Sequence, residues 1–181
     1  MKPISKRIVV DASIARSAGM TQHPVSRSCR EFLESFLEIC HRVVMTPEVR
    51  EEWKKHRSNF SASWLASMTA RKKVEVCNPD VDATVADKLR QAHLTEKDEA
   101  AVWKDARLLE AALAADSAVA SLDEEVRSLL KGVSKQWARI KPVVWVNPAS
   151  PQEEAVSWLS AGAPMEKRRT LGFEPGAEGG T

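Results

Sequence analysis

Four acidic residues lie where carboxylates could do chemistry together. Asp11 directly follows the first apolar run of the chain, and Asp123 follows the fourth. Glu52 lies early in a predicted helix after the second run, and Asp105 lies on the helix that leads into the fourth. In an open α/β sheet the reactive site lies beyond the carboxyl ends of the strands. We therefore expect these four carboxylates to converge on one pocket.

A cluster of carboxylates favours a divalent metal ion. Carboxylates packed together repel one another and tend to take up protons. Mg²⁺ or Mn²⁺ cancels that repulsion through oxygen ligands, and Mg²⁺ keeps most of its own waters, so a few carboxylates are enough. Such an ion activates water and stabilises the leaving oxygen of a phosphodiester. The cluster thus predicts metal-dependent phosphodiester hydrolysis.

Each acid taken alone also has an ordinary structural interpretation. Asp11 could cap the segment that follows it, and Asp123 could cap the predicted helix that begins at residue 124. Glu52 and Asp105 lie on charged helical stretches and could be solvated surface residues. It is the joint placement of the four acids that carries the prediction of a site.

The elements that position the acids alternate along the chain. Short β-branched or apolar runs predict strands at residues 8–10, 42–45, 73–77, 118–121 and 143–146. Helical spacing, caps and first-turn prolines predict helices at residues 24–40, from 47, around 60–68, and at 83–91, 95–115, 124–130 and 151–161. This alternation predicts an α/β fold with a mostly parallel sheet covered by helices on both faces.

Composition indicates one globular domain. The chain has 181 residues, 43% of them hydrophobic, and its 27 basic and 25 acidic residues leave a formal charge of +2. That charge does not by itself indicate a nucleic-acid binder. Three cysteines without a close pair argue against a disulfide framework or zinc site. Because no membrane span or signal peptide is recognisable, we expect a soluble cytoplasmic protein.

The first two acidic positions resemble motifs of the PIN-domain nucleases, and the whole resemblance covers about residues 7–146. Residues 7–13 look like the opening strand of that family, with its acid at Asp11 and a small polar residue, Ser13, two positions on. Residues 43–53 look like the second motif, in which an acid precedes a large apolar residue. That register selects Glu52 over Glu48 and Glu51.

The other two acids resemble the remaining motifs of the family. Asp105 opens a stretch similar to the third motif, eighteen residues before Asp123. Asp98 would make that interval too long and is the reserve candidate. Ser121 and Asp123 resemble the fourth motif, written as Ser or Thr, any residue, Asp. Glu125 corresponds to a further acid that some members carry.

The resemblance implies a toxin-type PIN endoribonuclease. Its fold would be a three-layer α/β/α sandwich around a five-stranded sheet, and its activity would be Mg²⁺- or Mn²⁺-dependent hydrolysis of RNA. Many bacterial members are toxins paired with an antitoxin protein. In this interpretation Asp11, Asp105 and Asp123 hold the metal, and Glu52 holds it directly, through water, or positions the nucleophile.

Regions around and beyond the motifs leave the substrate and partners open. Arg16, Lys104 and Arg127 lie near the acids in sequence and are candidates for phosphate contact, with ordinary surface charge as the alternative. We expect a single domain over residues 1–173, including a strand and helix added after the core motifs, and a disordered tail at 174–181. A homodimer is left open.

The alternative function is a PIN-like binding or regulatory module without turnover, acting through protein or RNA contacts. The absence of a glycine-rich phosphate loop makes a nucleotide triphosphatase or dinucleotide enzyme a poor fit.

Overall fold

A five-stranded parallel sheet forms the centre of the molecule. The computed structural model describes residues 4–79, 83–91 and 106–175. Every neighbouring pair of strands is parallel, in the order β3-β2-β1-β4-β5. The strands are β1 Arg7–Val10, β2 Arg42–Met45, β3 Val74–Val76, β4 Ala118–Ala120 and β5 Val144–Val146. The five strands predicted from the sequence are confirmed, with β3, β4 and β5 shortened at their ends.

Helices connect the strands and produce the three-layer α/β/α sandwich that the sequence predicted. They are α1 Ala12–Ser17, α2 Pro24–Glu38, α3 Pro47–His56, α4 Asn59–Ala70, α5 Ala83–Gln91, α6 with residues 106–113 described, α7 Glu124–Ser134 and α8 Ala155–Ser160. Three short 3₁₀ turns follow α7, β5 and α8, at Ala138–Ile140, Pro151–Glu153 and Lys167–Arg169.

Helix α1 was not predicted from the sequence, and the boundaries of two other helices differ for identifiable physical reasons. Helix α7 continues past Gly132, where a stop was predicted, because Val133 and Ser134 beyond it are buried. Burial of these side chains offsets the roughly 1 kcal/mol that an interior glycine costs. The predicted helix at 151–161 is instead a 3₁₀ turn and then α8, because Glu154 between them has left-handed backbone with φ of 43°.

The core is made by buried strands and an aromatic cluster. Four of the five strands are buried along most of their length, which is typical of a parallel sheet covered on both faces. Trp53 stacks on Trp64 with ring centroids 5.7 Å apart, and Phe36 meets Trp64 edge to face at 6.1 Å. Trp53, Trp64 and Trp145 are all buried in the core, and Trp103 lies outside the described residues.

The C-terminal addition is docked firmly on the sheet. Thr170 forms an antiparallel bridge with Val144, so residues around it cover the free edge of β5. Arg169 is 1% exposed, with its guanidinium 2.5 Å from Glu153 and 2.9 Å from Glu166. Paired burial of this kind holds the segment in one position, because removing either partner would leave an uncompensated buried charge.

A buried histidine ties the start of β1 to α8. His41 is fully buried; its Nδ1 accepts from the Lys6 amide at 3.0 Å, and its Nε2 faces the Leu159 carbonyl at 2.9 Å. Burial lowers the pKa of His41, the nearby Lys6 and Lys73 charges lower it further, and the bond to Leu159 opposes them. The folded structure therefore favours the neutral form of the His41 ring.

None of the helices in the described ranges has the length and apolar character needed to cross a membrane.

Two tryptophans give a matched test of core hydrogen bonding. The Trp53 indole donates to the Val10 carbonyl at 2.8 Å, whereas the buried Trp145 indole N–H finds no partner among the described residues. Trp53→Phe should therefore cost about 1–3 kcal/mol more than Trp145→Phe, because only the first leaves a carbonyl unsatisfied. Urea unfolding followed by circular dichroism measures the difference. Equal losses of unfolding free energy in the two variants would show that the hydrogen bond from Trp53 to Val10 does not contribute to stability.

The environment of His41 predicts acid sensitivity. Because its pKa is lowered in the folded state, the unfolded chain binds the proton more readily, and stability should fall as the pH drops through about 6.5. His41→Gln should be less stable at neutral pH but should lose this part of the pH dependence. Unfolding curves between pH 5 and about 8 measure both effects. An unchanged profile in His41→Gln would assign the sensitivity to another group.

Candidate functional site

A pocket of about 310 Å³ opens at the carboxyl edge of the sheet, where β1 and β4 lie side by side. The pairing of β1 with β4 places the residues that follow these strands next to each other. Three of the four predicted acids, Asp11, Glu52 and Asp123, line this one pocket. The fourth, Asp105, lies outside the described residues, as do the reserve candidate Asp98 and the candidate phosphate contact Lys104.

Asp11 is held by hydroxyl groups from two segments. Its backbone N–H donates to the Ala120 carbonyl at 2.9 Å, which continues the pairing of β1 with β4 by one residue. Its carboxylate oxygen Oδ2 accepts from Ser121 Oγ at 2.8 Å and also from Ser13 Oγ. The side chain is therefore oriented by the protein itself, in the way that preorganised sites require.

The same two serines connect Asp11 to the loop that carries Asp123. Ser13 Oγ accepts from the Leu122 amide at 3.2 Å, and Ser121 Oγ accepts from the Asp123 amide at 3.1 Å. Both serines had been predicted as accessory residues. The network holds the ends of β1 and β4 in one arrangement.

Asp123 is the N-cap of α7. Its Oδ1 accepts from the Val126 amide at 2.9 Å. The helix-cap alternative considered from the sequence is therefore a real role of this residue. The described residues provide no hydrogen bond to its second oxygen, Oδ2, and the residue lines the pocket. Capping and participation in the site use different parts of the same carboxylate.

Helix α3 presents a row of polar groups to the pocket. Its N-terminus is fixed by Thr46, whose hydroxyl accepts from the Val49 amide at 3.2 Å. Glu48, Glu52 and His56 follow at intervals of four residues, so they share one face and all line the pocket. Glu52 lies 3.0 Å from Lys55 and 3.5 Å from His56.

The register argument selected Glu52 over Glu48 and Glu51, and both Glu52 and Glu48 line the pocket. Glu51 does not line the pocket and pairs with Lys54 at 3.1 Å. Glu48 was passed over and His56 was not proposed, although their spacing from Glu52 is a helical signal that the sequence contains.

Two arginines add positive charge to the rim. Arg16, a predicted phosphate contact, is exposed in the last turn of α1 and lines the pocket. Arg107 from α6 also lines it, and its guanidinium lies 3.3 Å from Glu110. Sequence analysis missed Arg107, since nothing local distinguishes it from other arginines.

Two other sequence candidates lie away from the pocket. Arg127 is buried, and its guanidinium lies 2.7 Å from Glu153 and 3.4 Å from Glu124. This pairing gives Arg127 a structural role in holding the C-terminal addition. Glu125 is exposed on the first turn of α7 and does not line the pocket.

Protein-family models, curated proteins and solved structures gave no match. The resemblance to PIN-domain nucleases stays a prediction that rests on the motifs alone.

The carboxylates that line the pocket are ligands of the type that hard divalent cations prefer. In the part of the chain described, no three His, Cys, Asp or Glu side chains come close enough together to hold an ion. Asp11, Glu52 and Asp123 nevertheless offer carboxylate oxygens to one pocket. Because Mg²⁺ retains several waters and takes one or two carboxylates, this set fits Mg²⁺ or Mn²⁺ by chemistry.

Because Asp123 caps α7 and also carries a charge at the pocket, its replacement by Ala and by Asn should affect stability differently. Asp123→Ala removes the cap together with the charge, whereas Asn keeps the cap, so the Ala variant should be about 1 kcal/mol less stable than Asp123→Asn in the metal-free protein. Asp123→Asn also removes one of several mutually repelling charges, so it should raise apo stability by about 1 kcal/mol. Mn²⁺ should stabilise the wild type by about 1.4 kcal/mol per tenfold concentration above its dissociation constant.

Thermal melts with and without Mn²⁺ measure both effects. Asp123→Asn should gain much less from the ion than the wild type does. A destabilised Asp123→Asn, together with no metal response in the wild type, would remove the metal-site interpretation.

Proposed function

We propose that this chain is a metal-dependent nuclease of the PIN type that hydrolyses RNA phosphodiester bonds in the pocket beyond β1 and β4. The observation that carries the proposal is the placement of Asp11, Glu52 and Asp123 around one pocket at the carboxyl edge of the sheet. Ligands and reacting groups bind at this edge in open α/β sheets.

The residues present have roles that suit this chemistry. Asp11, Glu52 and Asp123 would hold Mg²⁺ or Mn²⁺, and the bound ion would supply an activated water and stabilise the charge on the phosphate. Ser13 and Ser121 keep the Asp11 carboxylate oriented before the substrate arrives. That orientation lowers the reorganisation needed during reaction.

The charge of the pocket supports an ion and a phosphate together. Among the residues that the structure describes, four carboxylates and two guanidinium groups line it, so the anionic groups there outnumber the permanent cations. A phosphodiester would be repelled from such a pocket without an added cation. Arg16 and Arg107 at the rim would bind the phosphate oxygens, because guanidinium groups match them in geometry.

The size of the pocket favours a polymer over a large ligand. About 310 Å³ is at the lower end of the range for small-molecule sites. It accommodates the scissile phosphate and its immediate surroundings while the strand continues outside. The choice of RNA rests on the motif resemblance, as do an antitoxin protein partner and a homodimer.

A PIN-like binding module without turnover is the second candidate function. It is favoured by the engagement of Glu52 with Lys55 and by the capping role of Asp123, since both carboxylates have structural partners. The lack of a three-donor cluster within the described residues favours it as well. RNA binding without cleavage at any Mg²⁺ or Mn²⁺ concentration would select this function.

The proposed function predicts metal-dependent cleavage of single-stranded RNA. Purified protein should cut a labelled RNA with Mg²⁺ or Mn²⁺, and EDTA should stop it. Asp11→Asn should lower the rate by at least about a hundredfold, the scale of losing a key charge-stabilising group. Glu52→Gln should also lower it.

Glu51→Gln is the matched control for Glu52→Gln. It changes the neighbouring acid on α3, which pairs with Lys54 outside the pocket, and should leave the rate unchanged. Wild-type cleavage by the Asp11→Asn protein would assign the activity to a contaminant or to another site.

A further inference from the structure

A second and larger cleft lies at the opposite edge of the sheet. It has a volume of about 810 Å³ and lies between the end of α7, the residues just before β5, and residues 165–174. Because all five strands are parallel, the amino end of β5 is at the sheet edge away from the pocket lined by Asp11, Glu52 and Asp123. We call that first pocket the acidic pocket. We call the second, larger cleft the basic cleft, and its charged lining residues are Lys135, Lys141, Lys167 and Glu174.

The basic cleft already holds an anionic group. The Glu174 carboxylate lies 2.9 Å from Lys135, and both side chains are more than half exposed. The hydrogen bond and charge of Lys135, with a further contribution from Lys141, lower the pKa of Glu174. An exposed pair of this kind contributes little to stability, so another anion can displace Glu174 at small cost.

The backbone around the cleft is held in place. The Gly172 amide donates to the Lys141 carbonyl at 3.0 Å, and Ser134 Oγ donates to the Leu171 carbonyl at 3.0 Å. A Cβ at Gly172 would lie 2.8 Å from Lys141 Cβ, so this close approach requires glycine. The backbone from which the lysine side chains extend is therefore held in one conformation.

Apolar groups line the basic cleft together with the lysines. Phe173 is half-buried and Met165 is 68% exposed, and both line the cleft. Proteins that bind single-stranded nucleic acid combine a positive groove with an aromatic side chain on which bases stack. An acidic peptide would use the lysines but would gain nothing specific from the ring. The combination favours a nucleic-acid strand.

We propose that the basic cleft binds the phosphate backbone of a single-stranded nucleic acid, with Lys135, Lys141 and Lys167 contacting phosphates and Phe173 contacting a base. This site is separate from the acidic pocket and does not depend on cleavage there. A strand held at both edges would be bound more tightly than by either site alone, since the second contact is intramolecular.

Salt dependence of binding tests the lysine contacts. The probe is a fluorescein-labelled oligouridylate with the Asp11→Asn protein in EDTA, followed by anisotropy, so no cleavage interferes. Three phosphate contacts to a single strand contribute about −2 to the slope of log affinity against log salt. Replacing Lys135, Lys141 and Lys167 together by Gln should reduce the magnitude of the slope by about 2, and Lys141→Gln alone by about 0.7.

A charge-matched control has three lysines changed elsewhere. Lys54, Lys72 and Lys88 do not line the basic cleft, and replacing all three by Gln should leave the slope nearly unchanged. Circular dichroism melts establish that each variant is folded. If the cleft triple variant does not fold, Lys141→Gln carries the test. An unchanged slope in folded cleft variants overturns the proposal.

Two further variants separate nucleic acid from other anions. Glu174→Gln should tighten RNA binding severalfold, because it removes the carboxylate that competes for Lys135. Phe173→Leu should weaken binding of oligouridylate but not of inorganic polyphosphate, which has no bases. If Phe173→Leu weakens neither, and a polyglutamate peptide displaces the RNA at equal charge concentration, the cleft is a site for an acidic protein and the proposal fails.

Discussion

The pairing of β1 with β4 is the constraint on which the rest of this structure depends. Val9 lies beside Val119 and Val10 beside Ala120, and the Asp11 amide extends the ladder by bonding to Ala120. The chain must close a loop of more than a hundred residues to make this contact, which is entropically unfavourable. Burial of the β-branched and small side chains of both strands offsets that cost. Without this pairing, Asp11 and the loop carrying Asp123 would not share an edge.

Much of the architecture could be predicted because its signals are local. The runs of valine and isoleucine in β1, β2 and β5 fit only buried strands, and Thr46 with Pro47 marks the start of α3. Asp11 follows β1 directly and Asp123 comes three residues after the end of β4, so the topology of a parallel sheet was enough to bring them together. Glu52 could be selected because it precedes Trp53, a large apolar residue, and the burial of Trp53 fixes the face that α3 presents.

What could not be predicted depends on contacts between distant segments. Arg127 looked like a phosphate contact because it is near Asp123 in sequence, but its partner Glu153 lies 26 residues further along. The break at Glu154 has no local signal such as glycine, and it arises where the C-terminal addition turns to dock. Arg107 reaches the pocket through the packing of α6, which no pattern of spacing in the sequence reports.

In the acidic pocket, one group of residues contributes to stability and would also serve the proposed chemistry. Ser13 and Ser121 satisfy backbone amides of the β4 loop and orient Asp11, while Asp123 caps α7 through one oxygen. The bonds to Asp11 use its Oδ2, the cap uses Asp123 Oδ1, and both residues line the shared pocket. A half-buried carboxylate needs hydrogen-bond partners for stability alone, and Ser13 and Ser121 provide them for Asp11. The same two bonds fix the Asp11 carboxylate at the pocket before any ligand binds, which is what the proposed function requires.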